Sequence, residues 1–260
     1  MEPTEEQDDY DATFLDKPPI LDKYKGAAVV TNGKYYILNW LAAVALAITK
    51  CVDGADVFTV CQEIDAFIDA EIRKTFNSKK SKNLERGIAF PTCININEIA
   101  GHYSPFKDDS TKIKTDDIIS IDLGCHLDGY AALAAHTMVC GGKTKGKQAE
   151  VVLAAYNALQ AAVKVIAPGV KSSEVTKKIQ AACDEFECEP LHGVVSYKNK
   201  KHMVDGGDCI MNKNQPDAKH KEWEFTPGDV ICLDVYASTG DGKSRQAECR
   251  TTVFKRELDV

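Results

Sequence analysis

Asp122 and Asp234 stand at matching places in two similar strings. The first lies in Thr115-Asp116-Asp117-Ile118-Ile119-Ser120-Ile121-Asp122-Leu123, the second in Pro227-Gly228-Asp229-Val230-Ile231-Cys232-Leu233-Asp234-Val235. Two carboxylates facing each other across a pseudo-twofold axis are what a two-metal hydrolytic site requires. The other reading is that each aspartate ends a strand and bonds local backbone, and spacing alone favours it. Two basic clusters are also candidates. Arg73, Lys74, Lys79, Lys80, Lys82 and Arg86 form one, and Lys198, Lys200, Lys201 and His202 the other. Such runs are either solvated faces or phosphate contacts. No other chemistry competes. The chain has no Gly-x-x-x-x-Gly-Lys-Ser/Thr loop, no Gly-x-Ser-x-Gly elbow and no His-Glu-x-x-His helix. Thr239-Gly240-Asp241-Gly242 reads as a hairpin turn rather than a phosphate loop, because no helix follows it.

The elements that must position these residues follow from the apolar pattern. The chain has 260 residues, 44% of them hydrophobic, enough for one large α/β domain. A formal charge of −7 argues against attraction to nucleic acid or anionic membrane over the whole surface. Residues 1–20 read as an acidic disordered tail and 21–260 as the folded domain. The apolar run at 35–48, broken by Asn39, reads as a buried helix and is too short to span a bilayer. A helix opens after Asp56 with Val57, Val60, Cys61, Ile64 and Ile68 on one face. Strands are expected at 86–95, 117–124 and 131–139, with Gly124 ending or bulging the second. Helices are expected at 147–166 and from about Ser173. A final hairpin is expected from 230–236 and 251–254. Ten cysteines without a Cys-x-x-Cys pair read as reduced thiols.

The chain also repeats itself. The helix-opening strings at Cys51-Val52-Asp53-Gly54 and Ile166-Ala167-Pro168-Gly169 match in the same order as the two aspartate strings. The offsets are about 115 and about 112 residues, which implies two copies of a helix-then-hairpin unit.

Longer motifs carry a family resemblance. They are Gly87-Ile88-Ala89-Phe90-Pro91-Thr92, Asn95-x-Asn97, Gly101-His102-Tyr103-Ser104-Pro105, Ile121-Asp122-Leu123-Gly124-x-His126-x-Asp128-Gly129, Ala135-His136-Thr137, Ser238-Thr239-Gly240-x-Gly242 and Arg250-Thr251-Thr252-Val253-Phe254-Lys255-Arg256. Together they resemble the proliferation-associated, ErbB-receptor-binding protein family, which is similar to type 2 methionine aminopeptidases. The resemblance implies a pita-bread α/β (α+β) fold with an internal pseudo-twofold repeat. It also implies that the chain stops before the family's last strands and lysine-rich tail, and that 26–40 departs from the family's first helix.

The resemblance further implies a dismantled metal site. The peptidase relatives hold two metals with two aspartates, a histidine and two glutamates. Carried over by position, these fall on Asp122, Leu133, Val194 and Asp234, with the last glutamate beyond Val260. His102 and His202 match histidines that contact substrate in the peptidases, whereas His126, His136, His192 and His220 match no ligand position. The expectation is a non-catalytic scaffold without a cofactor or membrane anchor. Its implied partners are proteins and the ribosome or structured RNA, with roles in ribosome biogenesis, translation and growth control. The implied location is the cytoplasm and the nucleus, including the nucleolus. Possible RNA contacts are Lys79, Lys80, Lys82, Lys198, Lys200 and Lys201. The alternative is an active methionine-aminopeptidase-type metallopeptidase.

Overall fold

The computed structural model describes residues 18–32, 43–76, 83–142, 144–203, 207–214, 221–246 and 250–255. Most of the expected acidic tail, the first part of the 35–48 helix, and Lys79, Lys80 and Lys82 lie outside the described residues. The contacts divide the chain into two compact units, one of Tyr24–Leu127, Ala132–Lys143 and Gln246–Val260, the other of Met1–Lys23, Asp128–Ala131 and Thr144–Arg245.

The first unit is built on helices α2 (Ala43–Lys50) and α3 (Val57–Lys74) and on strands β1 (Arg86–Ile96), β2 (Ile118–Leu127) and most of β3 (Tyr130–Val139). Helix α1 (Pro18–Asn32) precedes them and starts inside the stretch expected to be a disordered tail. Asp56 caps α3 as expected, accepting from the Thr59 amide at 3.0 Å and its hydroxyl at 2.7 Å. Val57, Val60, Cys61, Ile64, Ile68 and Ile72 recur at helical spacing, and all are buried. They meet the β1-β2-β3 sheet through Ile119, Ile121 and Leu123, which alternate along β2 as strand period requires. Gly124 does not end β2. The register of β1 slips on both sides of Phe90, which faces Gly124, so the glycine sits opposite a bulge and the strand runs on to Leu127.

The second unit packs α4 (Lys147–Val165) against α5 (Ser172–Asp184). Ala154, Ala158 and Ala162 let the helices approach, and Val175, Ile179 and Cys183 fill the seam. Strands β5 (Val195–Lys198), β6 (Cys209–Met211) and β7 (Ile231–Cys232) form a sheet in the order β6-β5-β7. Strand β4 (Glu189–Pro190) pairs with β8 (Ala237–Ser238). The expected hairpin between 230–236 and 251–254 does not form. Ile231 and Cys232 pair with β5 instead, and 251–255 has no regular structure. The β5 edge lies close in space but far in sequence, so periodicity could not reveal it.

The internal repeat is visible bond by bond within each unit. The Gly54 amide donates to the Ile113 carbonyl, Ile113 donates to Ala55, and Val57 donates to Thr111, at 2.8, 2.9 and 3.1 Å. In the other unit Gly169 donates to Phe225, Phe225 to Val170, and Ser172 to Trp223, at 2.9, 3.0 and 2.9 Å. Gly54 and Gly169 share a left-handed φ of 81° and 82°. Next, Asp117 accepts from the Lys114 amide and Asp229 from the Thr226 amide, each at 2.8 Å. The same helix-opening and strand-opening turns are thus built twice.

Candidate functional site

In the first unit the site is organised by β2. Asp122 is half-buried, and its Oδ2 accepts from Asn95 Nδ2 at 2.7 Å. Asn95 is itself fixed, because the Tyr103 amide donates to its Oδ1 at 2.9 Å and its Nδ2 also reaches the Ser120 carbonyl at 3.2 Å. The buried amide side chain therefore ties Asp122 to the 101–105 loop, a role that its place in the Asn95-x-Asn97 motif did not disclose. Cys93 is paired with Asp122 across the strands. Burial first, and the nearby carboxylate second, push its thiol well above the ordinary range. The buried thiols of Cys51, Cys61 and Cys125 are pushed up to about 12, chiefly by desolvation. All nine described cysteines are free thiols.

Leu133 lies on β3 with its side chain over Gly124. A Cβ added to Gly124 would sit 3.0 Å from Leu133 Cγ and 3.1 Å from the Ala132 carbonyl oxygen. The bare backbone of Gly124 is what admits the leucine. His102 is exposed at a left-handed φ of 63°, with its ring edge-on to Phe90 at 5.6 Å.

In the second unit Val194 precedes β5, and its carbonyl accepts from the Asn212 amide at 3.0 Å. Asp234 follows β7 and is held by Ser196, whose Oγ accepts from the Asp234 amide at 2.8 Å. The basic segment at 198–201 makes several contacts within its own unit. Lys198 pairs with Asp229 at 2.5 Å, with the side chains 15% and 7% exposed. Lys201 reaches Asp128 at 3.9 Å and lies over the Tyr130 ring at 5.8 Å. Lys23 pairs with the same Asp128 and covers the same ring at 5.2 Å. The His202 amide donates to the Gly129 carbonyl at 2.8 Å, and Asn199 Nδ2 to the Ala131 carbonyl at 3.3 Å. The segment 198–202 therefore grips the Asp128-Gly129 turn. Lys198 and Lys201 are engaged by carboxylates and mostly withdrawn from solvent. At the other cluster, Arg73 and Lys74 are engaged by Asp69 and Glu71 on their own helix.

An antiparallel sheet backed by helices, with its helix-opening turns repeated in a second unit, defines an aminopeptidase-like pita-bread architecture. The sequence profile of metallopeptidase family M24 matches residues 41–254, and the chain belongs to that family. Proliferation-associated protein A of Dictyostelium discoideum is 41% identical over 94% of this chain and 62% of its own length. An ERBB-3 binding protein 1 of Arabidopsis thaliana is 34% identical over 100% of this chain and 64% of its own. The chain thus spans less than two thirds of the length of these curated relatives. Among solved structures, a thermophilic Arx1 superimposes with a TM-score of 0.76 at 22% identity, covering 89% of this chain and 66% of that one. A Thermotoga maritima methionine aminopeptidase superimposes at 0.67, also at 22% identity, covering 89% and 84%.

The residues at the positions to which the resemblance carries the peptidases' ligands do not fit a pair of metal ions. Leu133 and Val194 offer hydrocarbon, and the Asp122 carboxylate is already taken up by an amide donor. Among the described residues, no three His, Cys, Asp or Glu side chains converge in a way that could hold an ion. No described helix is long and apolar enough to cross a membrane.

Proposed function

We propose that this chain is a non-catalytic member of the M24 family that acts as a binding scaffold. The observation that carries the reading is Leu133, whose side chain is packed on Gly124 at the position where the resemblance to the peptidases calls for a metal-binding aspartate. A metal-activated water needs several oxygen or nitrogen ligands held together, and hydrocarbon at two of those positions removes them. Partners fit the names of the relatives, one proliferation-associated and one an ERBB-3 binding protein. Protein surfaces are therefore the first partner class. The ribosome or structured RNA, with work in translation, ribosome biogenesis and growth control in cytoplasm and nucleus, is the second. The clamp at 198–202 supports the order of the two, since it withdraws Lys198 and Lys201 from phosphate. The test is to incubate the purified chain with cobalt or manganese and a methionyl peptide. No release of methionine above the metal blank is expected. Turnover that scales with protein concentration would return the chain to the active peptidases.

A further inference from the structure

Helix α4 carries apolar residues on both faces. The alanine face is buried on α5, yet Leu153, Tyr156 and Val163 on the other face are 47%, 59% and 54% exposed. With Gln160 they recur at intervals of three and four, the spacing of a helix–helix seam. A surface helix normally turns charge to water. This one has only Lys147, Glu150 and Lys164 in its 19 residues, and none of them interrupts the stripe.

We propose that this stripe is a self-association surface on which α4 pairs antiparallel with α4 of a second copy. The occupant is specified by the charges. Glu150 and Lys164 are exposed, flank the same edge of the stripe, and are equally spaced about Asn157. A twofold axis near Asn157 then sets Glu150 of each copy against Lys164 of the other, about 21 Å apart along the helix at 1.5 Å per residue. Moving the axis one position on, to Ala158, sets Leu153 against Val163 of the second copy and Tyr156 against Gln160, and leaves Glu150 and Lys164 about 3 Å from level, within reach of their long side chains. A parallel pairing would set Glu150 on Glu150 and Lys164 on Lys164, which repel. Acid near a helix N-terminus and base near its C-terminus also suit the helix dipole without any partner, so the test must separate the two accounts. Standard interfaces bury about 800 Å² on each partner. One helix stripe offers less, so the dimer is weak and concentration-dependent.

Sedimentation velocity on the full chain over a wide concentration range tests this. The weight-average mass should climb from 28.5 kDa towards twice that value. Leu153→Glu with Tyr156→Glu should remain monomeric at every concentration while keeping its circular dichroism and melting temperature. Glu150→Lys should weaken association about threefold to tenfold, since two edge pairs become repulsive. Adding Lys164→Glu should restore it. If only the dipole mattered, Glu150→Lys alone would lower the melting temperature and leave association unchanged. A wild-type chain that stays monomeric at the highest concentration, or a doubly exchanged chain that does not recover, overturns the proposal.

Discussion

Lys198 and Asp229, which are 31 positions apart in the numbering, close an ion pair of 2.5 Å from which solvent is largely excluded. Asp229 also accepts from the Thr226 amide at 2.8 Å and hydroxyl at 3.0 Å, so one carboxylate fastens the turn before β7 to the end of β5. Without Lys198 the carboxylate remains buried with only the threonine donors. Lys198→Ala should therefore cost about 3 kcal/mol in urea unfolding. Lys200→Ala, which breaks no such pair among the described residues, should fall within about 0.5 kcal/mol of the parent. Equal, small losses for both would show that Lys198 is an ordinary solvated lysine.

The Asp128-Gly129 turn yields a second prediction. Both residues have left-handed φ, 55° and 78°, the conformation of a two-residue hairpin turn of type I′. A Cβ on Gly129 would also fall 2.6 Å from the His202 ring. Gly129→Ala thus meets backbone strain and a clash together, and should lose about 2 kcal/mol. Combining it with His202→Ala should recover the clash and leave about 1 kcal/mol. Strictly additive losses in that double-mutant cycle would mean that His202 does not rest on the turn.

What the sequence disclosed was local. Asp56 and Thr59 are three residues apart, so the α3 cap and its apolar face could be read directly. The repeat was legible because matching turns keep matching residues, Gly54 with Gly169 and Asp117 with Asp229. The ion pairs of the lysine run were not legible, because they are made with distant acids. Lys201 is 73 positions from Asp128, and no window of charge counts shows that they meet. The final hairpin failed for the same reason, since β7 is two residues long and finds β5 rather than its downstream neighbour. Asn95 was noticed as part of a motif, but only the fold shows that it couples Asp122 to Tyr103.

Asp65 predicts a pH dependence. It lies on α3 and accepts from the Thr92 amide at 2.9 Å, yet burial outweighs that bond and raises its carboxyl above the ordinary 3.8. The folded chain therefore binds this proton more readily than the unfolded chain. The cost of the buried charge is fully present at neutral pH. It is relieved as pH falls from the raised value towards 3.8. Asp65→Asn, which can still accept from Thr92, should be more stable than the parent at pH 7, and the gain should shrink steadily as the pH approaches 3.8. Unfolding curves across that range decide it. A variant less stable at neutral pH, or a gain that grows in acid, would contradict the sign.

The pairing of Leu133 with Gly124 leads to the last prediction, which concerns metal. Both Asp122 and Leu133 are half-buried on neighbouring strands of one sheet, so Leu133→Asp adds a second carboxylate to that sheet. Hard divalent ions take about six oxygen ligands, and softer ones want nitrogen or sulfur as well. One added carboxylate leaves Val194 as hydrocarbon and leaves Asp122 engaged by Asn95. Elemental analysis after extensive dialysis should therefore find far less than one cobalt, manganese or zinc per chain in both the parent and the variant. The two ways of failing differ in meaning. Stoichiometric metal in the parent would defeat the non-catalytic reading outright. Stoichiometric metal in Leu133→Asp alone would show that a single hydrocarbon side chain suffices to keep the site empty of ions. Thermal unfolding with and without added metal gives an independent check, because an ion bound only to the folded state must raise the midpoint as its concentration rises.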